Sequence, residues 1–322
     1  MIALIQNAIA IAIVYLYGCI GETTNEKVGH LNLGIPGIMS IGGLGGVVGV
    51  NIYFGIFGTE NIITPVILII SILSTMIFAA LGGAIYAFFT ITLKSNQNVT
   101  GLILTTFGLG IMKGVGKMVY SSDPTNISNF TNASNAIKKL FVNYESLGWF
   151  GEVFLSYGFL VYFAIILAVV MYFVFKKTKV GLYARAIGES PQTADAQGIN
   201  VNKYRYIFVI LGSAIAGLGG LYYVMDRTRG SSFLDVDVQA FGWVAVALVI
   251  FSMWRPLLGI AGSILFGLLT VLGSFIPGGH ESLFEIIPYL VTILVLIINS
   301  IIDKRGSQAP KSLGINYDRE ER

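Results

Sequence analysis

The stretch IITPVILIISILSTMIFAALGGAIYAFFTITL, residues 62–93, contains no Asp, Glu, Lys or Arg. A helix needs about 20 apolar residues to cross about 30 Å of bilayer hydrocarbon, so this run is long enough to span a membrane. The rest of the chain has the same character, since 55% of its 322 residues are hydrophobic, 11% are charged and the mean hydropathy is +0.77. This composition is typical of a polytopic membrane protein and excludes a water-soluble domain.

Apolar runs of similar length recur along the chain and predict nine transmembrane helices, within a range of eight to ten. The runs are residues 3–20, 38–57, 62–93, 99–120, 153–175, 204–225, 238–253, 256–276 and 284–302. Lipid offers the backbone no hydrogen-bonding partner, so continuous apolar runs indicate helices, and the alternating segments of an outer-membrane barrel are absent. We therefore expect an all-α fold with a transmembrane domain at 1–302 and a tail at 303–322.

The basic residues predict how the chain is oriented in the membrane. If the polar segment 176–205 is cytoplasmic, alternation of the spans places 21–37, 94–98, 253–256 and the tail on the same side. These segments carry most of the 20 basic residues, as the positive-inside rule requires. We expect the N-terminus outside and the C-terminus in the cytoplasm.

The longest segment expected outside the cell is residues 121–152, which is rich in Asn, Ser and Thr. It has Asn-x-Ser/Thr triplets at Asn126, Asn129 and Asn132, and it either docks an external partner or is an ordinary polar loop. The first apolar segment lacks the basic start of a secretory signal peptide, so we expect it to remain in the mature chain.

Residues suited to catalysis are few. His30 and His280 are the two histidines and lie on opposite sides of the membrane in this topology, so they cannot share a metal or a triad. The glycines of residues 108–118 lack the spacing of a phosphate-binding loop. Cys19 is interpreted as a buried thiol rather than a lipidation site, and a single cysteine permits no internal disulfide. We expect no catalytic residue, no metal and no cofactor.

A secondary carrier usually places an ionisable group deep inside a span. No such group is evident here; Lys113 and Lys117 come nearest, and they either extend toward the outer surface or line a pore. Glycines are frequent within the spans and predict close helix packing. They include Gly42, Gly43, Gly45, Gly46, Gly49, Gly82, Gly83, Gly212, Gly217, Gly219, Gly220, Gly259 and Gly262.

The polar stretch GLYARAIGESPQTADAQGIN, residues 181–200, lies between two spans and predicts a short helix. Ser190 is a suitable N-cap, Pro191 fits the first helical position and Gly198 is a natural stop. Two helical turns are marginal alone and need tertiary support. Residues 194–196, Ala-Asp-Ala, offer a small, half-polar surface for docking another protein; the alternative is an ordinary interfacial helix.

At these residues the chain resembles a known family. The run KVGLYARAIGESPQTADAQGINVNKYRYIFVILGSAIAGLGG, residues 179–220, is similar to the cytoplasmic coupling region and following span of bacterial ABC importer permeases of the branched-chain amino acid, ribose and nucleoside type. Further similar segments are KVGHLNLGIPGIM at 27–39, NQNVTG at 96–101, AVALVIF at 245–251 and WRPLLG at 254–259.

The resemblance extends over nearly the whole chain, and it favours one substrate class. The ending APKSLGINYDREER, residues 309–322, is similar to endings of nucleoside-type permeases. The chain departs from the family in two places: Pro36 stands where an acidic residue is common, and residues 240–243 read Ala-Phe-Gly-Trp before the seventh span.

The resemblance implies that this chain pairs with a second permease chain, similar but not identical to it, and that the heterodimer encloses a path through the bilayer. ABC ATPase subunits would bind below, an external solute-binding lipoprotein would deliver a small-molecule substrate, and no nucleic acid would be involved. The chain itself would be no enzyme, and it would reside in the bacterial cell membrane. The segment assigned to the ATPase contact comprises Gly188, Glu189, Ser190, Pro191, Thr193, Ala194, Asp195, Ala196 and Gly198.

Nucleosides need a wide, neutral path with amide, hydroxyl and aromatic groups. The residues assigned to it are Asn32, Thr105, Thr106, Gln239 and Trp243, each of which is alternatively a helix cap or a bond between helices. A sugar or branched-chain amino acid permease remains an alternative, followed by a secondary carrier and then a membrane enzyme.

Overall fold

The computed structural model describes residues 1–59, 62–122, 125–138, 140–141, 144–228, 237–275 and 309–318, with a few positions between 286 and 297. Within these residues the chain is helical and no strand occurs. The helices are α1 Ile2–Glu26, α2 Ile35–Phe57, α3 Thr64–Ala87, α4 Gln97–Ser122, α5 Thr125–Ile137, α6 Gly148–Phe154, α7 Phe159–Lys177, α8 Lys179–Glu189, α9 Pro191–Ala196, α10 Val201–Tyr222, α11 Asp237–Phe251 and α12 Pro256–Phe275. The prediction of an all-helical fold is confirmed.

Seven helices in the described part of the chain are long and apolar enough to cross a membrane. They are α1, α2, α3, α4, α7, α10 and α12, where α3 and α10 continue through π-helical turns to Thr92 and Arg227. The apolar part of α11, Val238–Phe251, is shorter. Eight of the nine predicted spans thus coincide with helices, and the ninth, 284–302, lies mostly outside the described residues.

The centre of the bundle is formed by α1, α2 and α10. Helix α1 packs against α10, α11 and α12, while α2 packs against α3, α4 and α10. Glycine pairs allow the closest approaches: a Cβ atom added to Gly21 would lie 2.5 Å from the Gly212 carbonyl oxygen, and one added to Gly42 would overlap the Gly217 backbone. The predicted packing role of the intramembrane glycines is confirmed at these crossings.

The segment 121–152, predicted to be a polar external loop, contains α5 and most of α6. Phe130, Ala133 and Ile137 recur at helical spacing and are buried, which makes α5 amphipathic. The hydroxyl of Ser134 donates a hydrogen bond to the Met225 carbonyl at the end of α10. The many Asn, Ser and Thr residues of this segment indicated a polar loop, whereas the spacing of its apolar residues indicates a helix.

Segments predicted to share the cytoplasmic side meet at one end of the bundle. Lys27, Lys176, Arg185, Arg255 and Pro310 line a single cavity there. At the opposite end, a second cavity is lined by residues of the α1 N-terminus, the external segment and the α10 end. The predicted division of the loops into two sets is therefore present in the fold.

Candidate functional site

Helix α9 forms as its sequence predicts. The backbone N–H of Thr193 donates to the Ser190 side-chain oxygen at 3.3 Å, and Pro191 occupies the first turn. The helix ends at Ala196, and Gly198 has φ +81°, a left-handed conformation that favours glycine. Local capping chemistry is enough to define this element.

The two faces of the α8–α9 segment differ in accessibility. Pro191 and Ala194 point into the chain, and Ala194 is only 3% exposed. The expectation that Ala194 offers a docking surface is therefore wrong. Its inward position follows from the i, i+3 spacing with Pro191, which aligns both residues on one side of the helix.

The accessible face consists of the remaining positions. Glu189, Thr193, Ala196 and Gly198 are exposed, as is Gln192, while Ser190 and Asp195 are half-buried. Gly188 is buried, and a Cβ atom there would lie 2.5 Å from the Lys27 carbonyl oxygen. A partner protein at this end of the bundle would thus meet the outward residues of α9 and the exposed carboxylate of Glu189.

Helix α8 is fixed to the bundle by its own inner face. Ala184 and Ile187 are buried, and the side-chain oxygen of Thr178 accepts a hydrogen bond from the Gly181 N–H. A Cβ atom at Gly181 would lie 2.5 Å from Phe175 Cα of α7. This close contact joins α8 to the end of a membrane span.

The C-terminal residues 309–318, which we call the strap, run back over this end of the bundle. The Ser312 N–H donates to the Gly188 carbonyl at 2.9 Å, and its hydroxyl lies 2.7 Å from the same oxygen and 3.2 Å from the Ile187 carbonyl oxygen. The Gly314 N–H donates to the Gly29 carbonyl. The strap therefore links the end of α8 to the connection between α1 and α2.

The far end of the strap contacts the connection between α3 and α4. The Asn316 amide donates to the Lys94 carbonyl at 2.6 Å and accepts from the Gln97 amide at 3.1 Å. Lys94 also forms an ion pair with Asp318, and Arg205 lies over the Tyr317 ring. Sequence reasoning missed these contacts because they join residues more than 100 positions apart.

Two carboxylates missed by sequence reasoning are buried inside α1. Glu22 accepts hydrogen bonds from the Asn25 amide and the Asn32 N–H, both at 2.7 Å, and Glu26 accepts one from the Trp254 indole. Both glutamates are at most 1% exposed. Both lie in the last two turns of α1, which continues six residues beyond the predicted end at residue 20.

His30 is enclosed next to this cluster. Burial and the nearby positive charge of Arg205 hold the pKa of His30 well below its usual value, so the ring is neutral. Neither ring nitrogen has a hydrogen-bond partner among the described residues. The ring meets the edge of Tyr86, at 6.4 Å between centroids. The side chain therefore acts as a packing element in this conformation, while His280 lies outside the described residues.

The residues assigned to a substrate path differ in their exposure. Asn32 and Thr105 are buried: the Asn32 side-chain oxygen accepts from the Gly34 N–H, and the Thr105 hydroxyl donates to the Leu33 carbonyl. The first hydrogen bond lies within the connection before α2, and the second joins that connection to α4. Thr106, the next residue, is exposed on the other face of α4.

Gln239 and Trp243 are half-buried on α11, one turn apart. Helix α11 packs tightly against α2 at Gly242, next to Trp243, since a Cβ atom added to Gly242 would lie 2.5 Å from Pro36 Cα. The two places where the chain departs from the family pattern are thus in contact with each other. No group of three or more His, Cys, Asp or Glu residues suited to a metal ion occurs in the described part of the chain.

The chain is similar in sequence to known proteins along nearly its whole length. A sequence family described as the permease component of branched-chain amino acid transport systems matches residues 4–296. The chain is 32% identical to the nucleoside ABC transporter permease NupC of Lactococcus lactis subsp. cremoris, covering 98% of this chain and 96% of NupC. It is 30% identical to the guanosine ABC transporter permease NupQ of Bacillus subtilis, covering 92% and 91%.

A third relative is named for a different class of solute. The chain is 33% identical to a putative glucose ABC transporter permease of Haloferax volcanii, over 84% of this chain and 76% of that protein. No solved structure matches the chain.

Proposed function

The chain belongs to the permease-component family of branched-chain amino acid transport systems, and we propose from that premise that it is the nucleoside-translocating subunit of an ABC importer. It is a multi-pass permease of the cell membrane with apolar spanning helices. The observation that carries the nucleoside assignment is full-length similarity to two permeases named for nucleoside and guanosine transport. A sugar is the second candidate, favoured by the glucose permease relative.

The proposed complex contains a second permease chain, ABC ATPase subunits and an external solute-binding lipoprotein. ATP hydrolysis belongs to the ATPase subunits, so this chain contributes the path and the mechanical contact. The outward residues of α8 and α9, including Glu189, Thr193 and Ala196, meet the ATPase in this proposal. Because α8 is anchored to α7 and to the strap, movement of the ATPase is passed to the spans as a rigid-body displacement.

The proposed path runs along one face of α4. Thr106, Gly110, Lys113 and Lys117 are spaced 4, 3 and 4 residues apart, which aligns them on one side of the helix, and all four are exposed. A charged side chain at the centre of a lipid bilayer costs several kcal/mol, about 2.5–3.5 on insertion scales. This polar stripe is therefore better suited to a hydrated path or a second permease chain than to lipid.

Uptake by vesicles containing the complete complex tests the assignment. We expect ATP-dependent accumulation of a labelled nucleoside that excess unlabelled nucleosides abolish, whereas ribose, glucose and leucine leave it unchanged. A complex with a hydrolysis-deficient ATPase subunit is the matched control. Competition by glucose alone would transfer the assignment to the sugar class, and uptake without the ATPase would contradict the importer mechanism.

A further inference from the structure

A cleft of about 820 Å³ lies at the end of the bundle that carries the strap. Four separate elements contribute a cation to its lining. Lys27 follows α1, Lys176 lies in the last turn of α7, Arg185 belongs to α8 and Arg255 precedes α12. We call this cavity the basic cleft. It shares Glu189 with the proposed ATPase contact and is separate from the polar stripe of α4.

The cations of the basic cleft are close enough to affect one another. Burial, followed by the positive charges of Arg185 and Arg255, lowers the pKa of Lys27 to about 8. Glu189 is the acidic residue among the described lining residues, so the cleft carries an excess of positive charge. Cations gathered in a partly enclosed space repel each other unless an anion is bound between them.

The remaining wall of the basic cleft is apolar and aromatic. Tyr172, Phe175 and Leu182 line it, and Leu182 is 54% exposed. The neighbouring Phe173 is 51% exposed on the outer surface of the spanning helix α7. The cleft therefore opens where apolar span surface meets charged residues, which is the level of phospholipid headgroups in a bilayer.

Lys176 is held at the rim between these two environments. Its ammonium group lies 2.7 Å from the Tyr172 hydroxyl and 5.1 Å from the centre of the Tyr172 ring. An aromatic residue beside a lysine at the end of a span is typical of the membrane interface. This arrangement holds the ammonium group of Lys176 against Tyr172 at the edge of the cleft.

We propose that the basic cleft binds an anionic phospholipid, with its phosphate between Arg185, Arg255 and Lys176 and an acyl chain along Phe175 and Leu182. An acidic protein surface would pair with the basic residues, but unlike a lipid it would leave the apolar wall of the cleft in contact with water. Inorganic phosphate would likewise leave that wall uncovered. The proposal depends on the membrane location of the chain and not on which solute it transports.

Native mass spectrometry of the full chain, purified with its partner subunits, tests the proposal. The protein is equilibrated with an equimolar mixture of phosphatidylglycerol and phosphatidylcholine, and bound lipids are counted. We expect wild type to retain phosphatidylglycerol preferentially. Near a membrane surface each basic residue changes lipid affinity by about fivefold, so the double variant Arg185→Gln/Arg255→Gln should weaken retention by about 25-fold.

Matched variants separate this site from general charge effects. Lys179→Gln/Lys203→Gln removes two exposed cations near the same end of the bundle that do not line the cleft, and this variant should retain phosphatidylglycerol as wild type does. Lys176→Gln changes one exposed rim residue, and it should weaken retention even if the double arginine variant fails to fold. Equal retention by the cleft variants and the Lys179→Gln/Lys203→Gln variant would overturn the proposal.

Two further arms distinguish other occupants of the cleft. Millimolar inorganic phosphate should not displace phosphatidylglycerol; displacement without any preference between the two lipids would identify a free-anion site and overturn the proposal. Loss of ATPase co-purification in the arginine variant, with lipid retention unchanged, would identify the cleft as a protein contact and would also overturn it.

Discussion

Trp254 shows how one buried polar contact fixes a connection between helices. Met253 and Trp254 both have positive φ, 52° and 55°, a region that costs non-glycine residues roughly 1–2 kcal/mol each. Trp254 is 6% exposed, and its indole N–H donates to Glu26 in α1. Side-chain burial and this hydrogen bond offset the backbone strain, so the α11–α12 connection is held against the central helix.

Substitutions at Glu26 test this anchoring. Glu26→Gln retains an acceptor for the Trp254 indole and should leave thermal stability nearly unchanged. Glu26→Leu leaves the buried N–H without a partner, which costs about 1–3 kcal/mol, and should lower the unfolding temperature in detergent. In a Trp254→Phe background that cost should disappear; an equal loss in both backgrounds would contradict the anchoring role.

The pKa of Lys27 predicts how lipid retention depends on pH. Lys27 is affected by the cations Arg185 and Arg255, by Glu189 and by the buried carboxyl group of Glu26, and its pKa is lowered to about 8, chiefly by burial. The amine is therefore charged below about pH 8 and neutral above it, and a bound anion raises that midpoint. Retention of phosphatidylglycerol should fall by about fivefold as the pH rises from 7 to well above the midpoint.

The control for this profile is Lys27→Gln, which removes the titrating amine. Arginine side chains do not titrate in this range, so the variant should show weaker but nearly pH-independent retention between pH 7 and 9. An unchanged pH dependence in Lys27→Gln would show that another group is responsible for the profile.

At the scale of elements, the strap connects parts of the chain that are distant in sequence. Ser312 contributes the bonds to α8, and Gly29 leaves the space that Ser312 fills, as a Cβ atom at Gly29 would overlap the Ser312 hydroxyl oxygen. Gly29 also has φ +81°, which favours glycine. The connection between α1 and α2 is thus shaped to receive the strap.

Hydrogen exchange measures how firmly the strap is docked. Ser312→Ala removes the hydroxyl contacts to Ile187 and Gly188, a loss of about 1 kcal/mol, and should speed exchange of the Ser312 and Gly314 amides by about fivefold. Ile315→Ala is the matched control, because this side chain is 58% exposed. Faster exchange in the control but not in Ser312→Ala would contradict the proposed anchor.

Helix α9 provides a matched pair for the ATPase contact. Ala196→Arg places a charge on the exposed face and should weaken ATPase co-purification by tenfold or more while the unfolding temperature stays constant. Ala194→Arg places the same charge inside the chain and should lower the unfolding temperature itself. If Ala196→Arg transports at the wild-type rate with ATPase bound, α9 is an ordinary interfacial helix.

The elements differ in how well sequence predicts them. The α9 cap at Ser190 was predictable because it depends on residues within one helical turn. Glu22 and Glu26 were missed because hydropathy falls at the first charges, although Asn25, Asn32 and Trp254 supply the hydrogen bonds that let α1 continue. The contacts of Ser312 depend on tertiary structure, and no local pattern indicates them.

At the scale of the whole molecule, the alternation of spans predicted which segments share a side. The strap, the start of α4 and the end of α8 are joined by direct hydrogen bonds, and the N-terminus of α1 lies at the other end near Ser156. This grouping follows from helix length, because each span carries its two flanking segments to opposite surfaces. The basic residues then predict which surface faces the cytoplasm.

Cysteine labelling of intact cells tests that orientation. Ser128 in α5 and Gln192 in α9 are both exposed, and the native Cys19 is buried, so background labelling should be low. A membrane-impermeant maleimide should label Ser128→Cys from outside. It should label Gln192→Cys only after the membrane is permeabilised, because the set of segments that together carry most of the basic residues is retained in the cytoplasm. Labelling of both variants in intact cells would contradict the topology, and the reverse pattern would invert the orientation and place α9 beyond the reach of an ATPase.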